Sequence, residues 1–170
     1  MTVPFLACMA ATAAFYALPP RVLPSIHVVE GGVPGSVHRN TDGSEDLGVM
    51  QINTLWVAPI ARVTRMAAPA VRARLIADPC FNIAASGAVM RTYLHESRGD
   101  LMTAVGYYHS HTPMLGRDYL ERVTGAARAL FGGGSARDAS GQGTRAPSLA
   151  RTIAMSHHPN VYVSAAEASP

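Results

Sequence analysis

Cysteine is nearly absent: two occur in 170 residues, Cys8 and Cys80, and their separation excludes a zinc knuckle or a redox pair of neighbouring thiols. Two readings remain. They form one long-range disulfide, which in the chain-entropy picture stabilises by about 4 kcal/mol in an oxidising compartment, or they are two buried thiols. Long apolar runs are missing too. Residues 3–18 are apolar but too short and too interrupted to span a bilayer, and they lack a basic leading segment and a small-residue cleavage site. They predict the first helix of a domain, with no evident export signal and no membrane span. Runs of positive charge are also absent. The 14 basic residues are all arginine and lie scattered; the densest group, Arg62, Arg65, Arg72 and Arg74, has the helical spacing of a solvated face. Aromatics make up only 6% of the chain, and no basic stripe is interleaved with them, so no nucleic-acid partner is expected. Neither His109-x-His111 nor His157-His158 is joined to carboxylates at a ligand spacing, so no metal and no cofactor are expected. Ser25 and Cys80 have no partnered His-Asp pattern that would make either a nucleophile. Arg98-Gly99-Asp100 spells an adhesion tripeptide but reads as a break and cap between helices.

What is present suits one domain: 48% apolar residues in a chain of this length are enough for a core. A first helix over 5–17 should stop at Leu18-Pro19-Pro20, and a second should start there and run to Glu30, because proline fits a first turn and blocks an interior. Gly31-Gly32 ends it. From 33 to 51 the composition changes to Gly, Asn, Asp, Ser and Thr, and Asn40-Thr41-Asp42-Gly43-Ser44 predicts the turn of a small β-hairpin. Asn53 is a good cap for a helix over 54–65, a further helix covers 69–77, and Asp78-Pro79 punctuates. In 80–96, Ile83, Gly87, Met90 and Leu94 share a face. Another helix covers 100–108, and a last one spans 115–131 with Leu115, Tyr119, Val123, Ala126 and Leu130 aligned. Trp56 and Tyr93 read as core rather than as sugar platforms. Residues 132–170, rich in Ser, Ala, Gly and Pro, predict a flexible low-complexity tail. There is no internal repeat.

Glu30 carries the chemistry. A carboxyl group at the end of the apolar run Ile26-His27-Val28-Val29 loses hydration when ionised, and the carbonyl end of a helix also disfavours its charge. Both effects raise its pKa, and a carboxylic acid that keeps its proton near neutrality is what general-acid cleavage of a glycosidic bond requires. Glu45 and Asp46 are the nearby candidates for a second carboxylate. Their turn-rich setting predicts hydrogen bonds to backbone amides and, for Asp46, a structural role.

The order E-G-G, N-T-D-G-S-E-D-L-G-V-M-Q-I-N-T, D-P-C-F-N-I and Y-Y-H-S resembles the soluble lytic transglycosylases, especially the small ones that accompany secretion and conjugation systems. The resemblance covers roughly 8–125. It implies an α+β, predominantly α, lysozyme-like fold over 1–131, with a small β-hairpin beside the active-site cleft. It also implies cleavage of the β-1,4 bond between N-acetylmuramic acid and N-acetylglucosamine in peptidoglycan. By position Glu30 matches the catalytic acid/base. Gly48, Met50, Gln51 and Asn53 match the motif that shapes the groove floor and contacts sugar. Asn82 matches a structural asparagine, and Tyr108 a tyrosine that in relatives points toward the catalytic carboxylate. A single carboxyl group suffices in that chemistry: it protonates the leaving oxygen, the muramoyl N-acetyl group stabilises the developing cation, and the resulting carboxylate deprotonates the sugar's 6-hydroxyl to leave a 1,6-anhydro end.

The chain departs from the family pattern twice. Where many relatives have a serine that orients the muramoyl acetamido group, it reads Ser36-Val37-His38-Arg39-Asn40. His38 stands near the expected site, with a hydrogen-bonding role, a reach-in by Ser36 and a solvated loop histidine all open. The tyrosine-asparagine-alanine-glycine element is Tyr108-His109-Ser110-His111, where His109 either lines the groove or caps a helix end. The implied partners are peptidoglycan strands and, through the apparatus the resemblance suggests, secretion or conjugation proteins. A net charge of +3 suits an anionic wall polymer. The expected setting is periplasmic or secreted, the expected state a monomer. A hydrolysing muramidase of the same fold and a non-catalytic glycan-binding subunit are the rivals.

Overall fold

A computed structural model describes residues 2–132; the predicted tail beyond Gly132 lies outside the described residues. Among the described residues, seven α-helices and one small antiparallel sheet make an α+β fold that is mainly α. The helices are α1 Leu6–Phe15, α2 Val22–Glu30, α3 Val57–Thr64, α4 Ala68–Ala77, α5 Pro79–Glu96, α6 Leu101–His109 and α7 Pro113–Phe131. The strands are β1 Val37–Arg39, β2 Glu45–Leu47 and β3 Ile52–Asn53, in the order β1-β2-β3.

Local chemistry explains most of these boundaries. Asp78 accepts from the Phe81 N–H at 3.0 Å ahead of Pro79, and Asp100 accepts from Met102 and Thr103 N–H groups, so both acids cap the helices that follow them. The first helix ends sooner than the prolines demand: Ala17 turns left-handed and the Leu18 N–H reaches back to Ala13 O at 2.9 Å, closing the helix end. Pro20-Arg21 is then a turn, and α2 starts at Val22. Thr54–Trp56 forms a 3₁₀ turn before α3, where one continuous helix was expected. The predicted hairpin is β1 and β2, joined through Gly43 at φ 86. A third strand, not expected from the sequence, joins because Ile52 and Asn53 pair with Leu47 and Asp46.

α2 runs through the middle of the molecule, against α7, α5 and α1. Met9, Leu23, Ile26, Leu47, Met50, Leu75, Ile83 and Met90 are fully buried around it. On α5, Ile83, Gly87 and Met90 are buried as their spacing predicts, and Leu94 is partly buried. On α7, Tyr119 and Val123 are buried, but Leu115 is exposed. The α6–α7 crossing is made where Gly106 meets Gly116, and the neighbouring Leu115 points away. No helix among the described residues is long and apolar enough to cross a membrane.

Cys8 and Cys80 form a disulfide, with Cα atoms 5.4 Å apart, that ties α1 to the first turn of α5. Reduction, or Cys8→Ser with Cys80→Ser, is expected to lower unfolding free energy by about 4 kcal/mol. Urea midpoints with and without reductant measure it, and the double variant should show no further response to reductant.

Candidate active site

Glu30 is the last residue of α2. Gly31 follows in the left-handed region at φ 63, its N–H bonded to His27 O at 2.9 Å. At Gly32 any Cβ would run into the carbonyl oxygens of Gly48 and Val49, so the second glycine lets the end of α2 lie directly on the segment after β2. One turn back, buried His27 donates Nδ1–H to Val49 O at 3.0 Å and fastens the same junction. The Glu30 carboxyl group accepts a hydrogen bond from the Tyr119 hydroxyl on α7. Its pKa is raised to about 7. Burial is the largest cause; the Tyr119 hydrogen bond opposes it, the negative charge of Asp46 raises it further, and the Arg122 guanidinium lowers it.

The floor beside Glu30 is the 47–53 segment. Gly48 sits at φ 68, with no room for a Cβ against Leu75 O and the Asn82 amide. Asn82, fully buried, accepts the Met50 N–H at 2.8 Å and donates to Leu47 O at 2.7 Å and Leu75 O at 2.8 Å. Gln51 is left-handed at φ 49, and its side-chain amide donates to Gly48 O at 2.7 Å and to Ser36 Oγ at 3.2 Å. Asn53 caps the 3₁₀ turn through Leu55 N–H at 2.9 Å and donates to Asp46 Oδ1 at 2.9 Å. Asn40 donates to Asp46 Oδ2 at 3.0 Å. Asp46 is therefore held by two side-chain amides, not by the backbone amides expected from the sequence. Glu45 likewise takes side-chain partners, Arg72 and, at 3.5 Å, Arg39. The Arg72 hydrogen bond holds its carboxyl below the usual range.

Helical aromatics make the opposite wall. Tyr108 donates to Met50 O at 3.0 Å, and burial, then the charge of Glu30, pushes its phenol far up. The hydroxyl on the acid thus belongs to Tyr119 rather than to Tyr108, the expected tyrosine. His109 stacks on Tyr119, centroids 5.0 Å apart, and Arg122 lies over the same ring at 5.3 Å. Burial, then the Arg122 charge, lowers the His109 pKa.

Between the walls lies a cleft of about 410 Å³ lined by Glu30, Asp46, Gln51, Asn53, Tyr108 and His109, among others. Trp56 and Tyr93, 6% and 8% exposed, belong to the core and still present edges to this cleft. His38 does not line it. It lies exposed on β1, with β2 between it and β3. Ser36 is turned to Val33 O and Gly48 O and holds the loop. Met50 is fully buried and serves the floor through its backbone, as does Gly48. No group of three His, Cys, Asp or Glu side chains is gathered for a metal ion among the described residues.

Sequence reading missed Tyr119 as a site residue and, of its candidate second carboxylates, read Asp46 as structural; Asp46 lines the cleft. A tyrosine inside an otherwise apolar stripe is a signal, because a buried phenol needs a polar partner. Tyr119→Phe is expected to raise the Glu30 midpoint by about one unit, since the lost hydrogen bond favoured the ionised form. Carboxyl-carbon NMR titration of the two proteins reads that shift.

Comparison of the chain with protein-family models and with curated proteins finds no match in either.

Proposed function

We propose that this chain is a lysozyme-like peptidoglycan lytic transglycosylase in which Glu30 is first acid, then base. One observation carries the reading: a carboxyl group with its pKa near 7 opens into a cleft beside Gln51, Asn53 and Tyr108. An acid of that strength holds its proton at neutrality yet can release it to a leaving glycosidic oxygen. Tyr119, a hydrogen-bond donor, steadies the carboxylate that results and leaves its other oxygen for the 6-hydroxyl of the same sugar. The polar floor suits the hydroxyl and N-acetyl groups of a glycan strand, and the helical wall its ring faces. Action outside the cytoplasm accords with the disulfide. Local wall opening for a secretion, conjugation or pilus apparatus, by a monomer, is proposed from the motif resemblance.

Asp46 favours a second reading, a hydrolysing muramidase of the same fold. Its carboxylate is oriented by Asn40 and Asn53 and lines the cleft that Glu30 enters, and hydrolysis with two carboxyl groups uses such a partner to activate water or form a glycosyl-enzyme bond. Mass analysis of fragments released from purified sacculi separates the two: 1,6-anhydro ends support the transglycosylase, reducing ends the hydrolase. Asp46→Asn adds an independent test. If Glu30 acts alone, the variant keeps most of its activity and the alkaline limb of its pH profile moves down, because a charge that raised the Glu30 pKa is gone. If Asp46 takes part, kcat falls by about 100-fold or more.

A further inference from the structure

The cleft that holds Glu30 is also lined by a group of rings around His111, two residues beyond the end of α6. The imidazole stacks on Tyr107 with centroids 4.2 Å apart and planes 20° apart. Tyr93 meets it edge-on at 5.4 Å, and Trp56 in turn meets Tyr93 edge-on at 5.7 Å. Its Nε2 is hydrogen-bonded to Glu96 Oε1 at 2.9 Å. All four rings line the cleft that holds Glu30.

Stability does not account for this arrangement. The His111 and Glu96 side chains are 50% and 38% exposed, and a polar contact so open to water contributes little to folding. What the contacts do is fix the ring. One face is backed by Tyr107, Tyr93 meets the ring edge-on, one nitrogen is anchored by Glu96, and half of the side chain stays open to solvent, so a ligand meets a surface already ordered before binding. A flat ring held in this way suits the C–H face of a pyranose. With Nε2–H directed at Glu96, Nδ1 remains for a hydroxyl or N-acetyl group at the sugar's edge.

We propose that His111, backed by Tyr107 and anchored by Glu96, is a stacking platform for an N-acetylhexosamine of the glycan strand outside the pair that flanks the cleaved bond. The inference rests on reading the cleft as a glycan-cleaving one.

The test uses Glu30→Gln as a non-cleaving host and chitopentaose as the probe, with calorimetry for affinity and thermal melting as the check on folding. Adding His111→Ala should weaken binding about tenfold, and His111→Phe, which keeps a flat ring but neither the Glu96 anchor nor Nδ1, should recover part of that loss. In the parent background His111→Ala should raise KM on sacculi more than it lowers kcat. Affinity within about twofold of the host after His111→Ala, or no recovery with Phe at an unchanged melting temperature, overturns the platform. The outcomes also separate the two ideas. Fragment release by the parent together with unaltered chitopentaose binding by the alanine variant removes the platform alone. Intact sacculi with the parent and no chitopentaose binding by the host remove the glycan reading and the platform with it.

Discussion

Glu30→Gln is expected to reduce muropeptide release from sacculi by about 10⁴-fold or more, because one carboxyl group both gives and takes the proton in the proposed reaction. Glutamine keeps the size of the side chain and an oxygen for the Tyr119 hydroxyl, so the loss tests proton transfer rather than shape. Release equal to that of the parent would remove the catalytic claim and leave a glycan-binding subunit.

The same substitution should stabilise the protein in alkaline solution, which a merely damaged site would not do. The Glu30 pKa rises from 4.5 to about 7 on folding. Between those values the folded chain holds a proton that the unfolded chain has released, so stability is fully present below about 4.5, falls as pH rises through the window, and levels off above about 7. The total fall is on the order of 3 kcal/mol. Glutamine does not titrate. At pH ~8 the variant should therefore exceed the parent by about that amount, and near pH ~4 the two should nearly coincide. Urea midpoints at the two pH values check it. Loss of activity without that pH-dependent gain would mean that Glu30 is not the buried acid described.

The acid and most helices were legible in the sequence because their determinants are local. Asp78-Pro79 and Asp100 mark helix starts through caps, and Gly31 marks the end of α2 through a left-handed turn. Glu30 could be singled out because its apolar neighbours and the helix end lie within a few residues of it. Tyr119 could not be paired with it. The two are 89 residues apart, and the stripe that carries Tyr119 and Val123 reads as plain core until α7 is packed on α2. Asp46 was closer to legible. Side chains alternate along a strand, so in β2 the residue between Glu45 and Leu47 faces the other way, and the buried Leu47 already implies a different outlook for Asp46. A turn-rich composition hid that alternation. For His38 the solvated alternative is the one observed, and the reason is topological: distance in sequence from Glu30 does not reveal that β2 separates β1 from β3, whose Asn53 lines the cleft.

Asn82→Ala is expected to lower unfolding free energy by about 5 kcal/mol, a large part of what a domain of this size has. Asn82 is the only described side chain that bonds the Met50 N–H, the Leu47 carbonyl and the Leu75 carbonyl together. Truncation leaves these groups short of a partner in the interior, at about 1–3 kcal/mol each before any rearrangement. Ser86→Ala is the matched comparison. It lies one turn further along α5, is equally buried, and loses its bond to Ile83 O at 2.8 Å together with a hydrogen-bonding contact to Tyr108, so about 1–2 kcal/mol is expected. The effect should also reach the acid, because the 47–50 segment that Asn82 holds is the one on which Gly32 rests. Once that segment loosens, water gains access to Glu30 and the burial that raises its pKa weakens. In the fraction of Asn82→Ala that stays folded at low temperature, the Glu30 midpoint should accordingly fall from about 7 toward its ordinary value. Equal urea midpoints for Asn82→Ala and Ser86→Ala would show that other contacts hold the floor of the cleft.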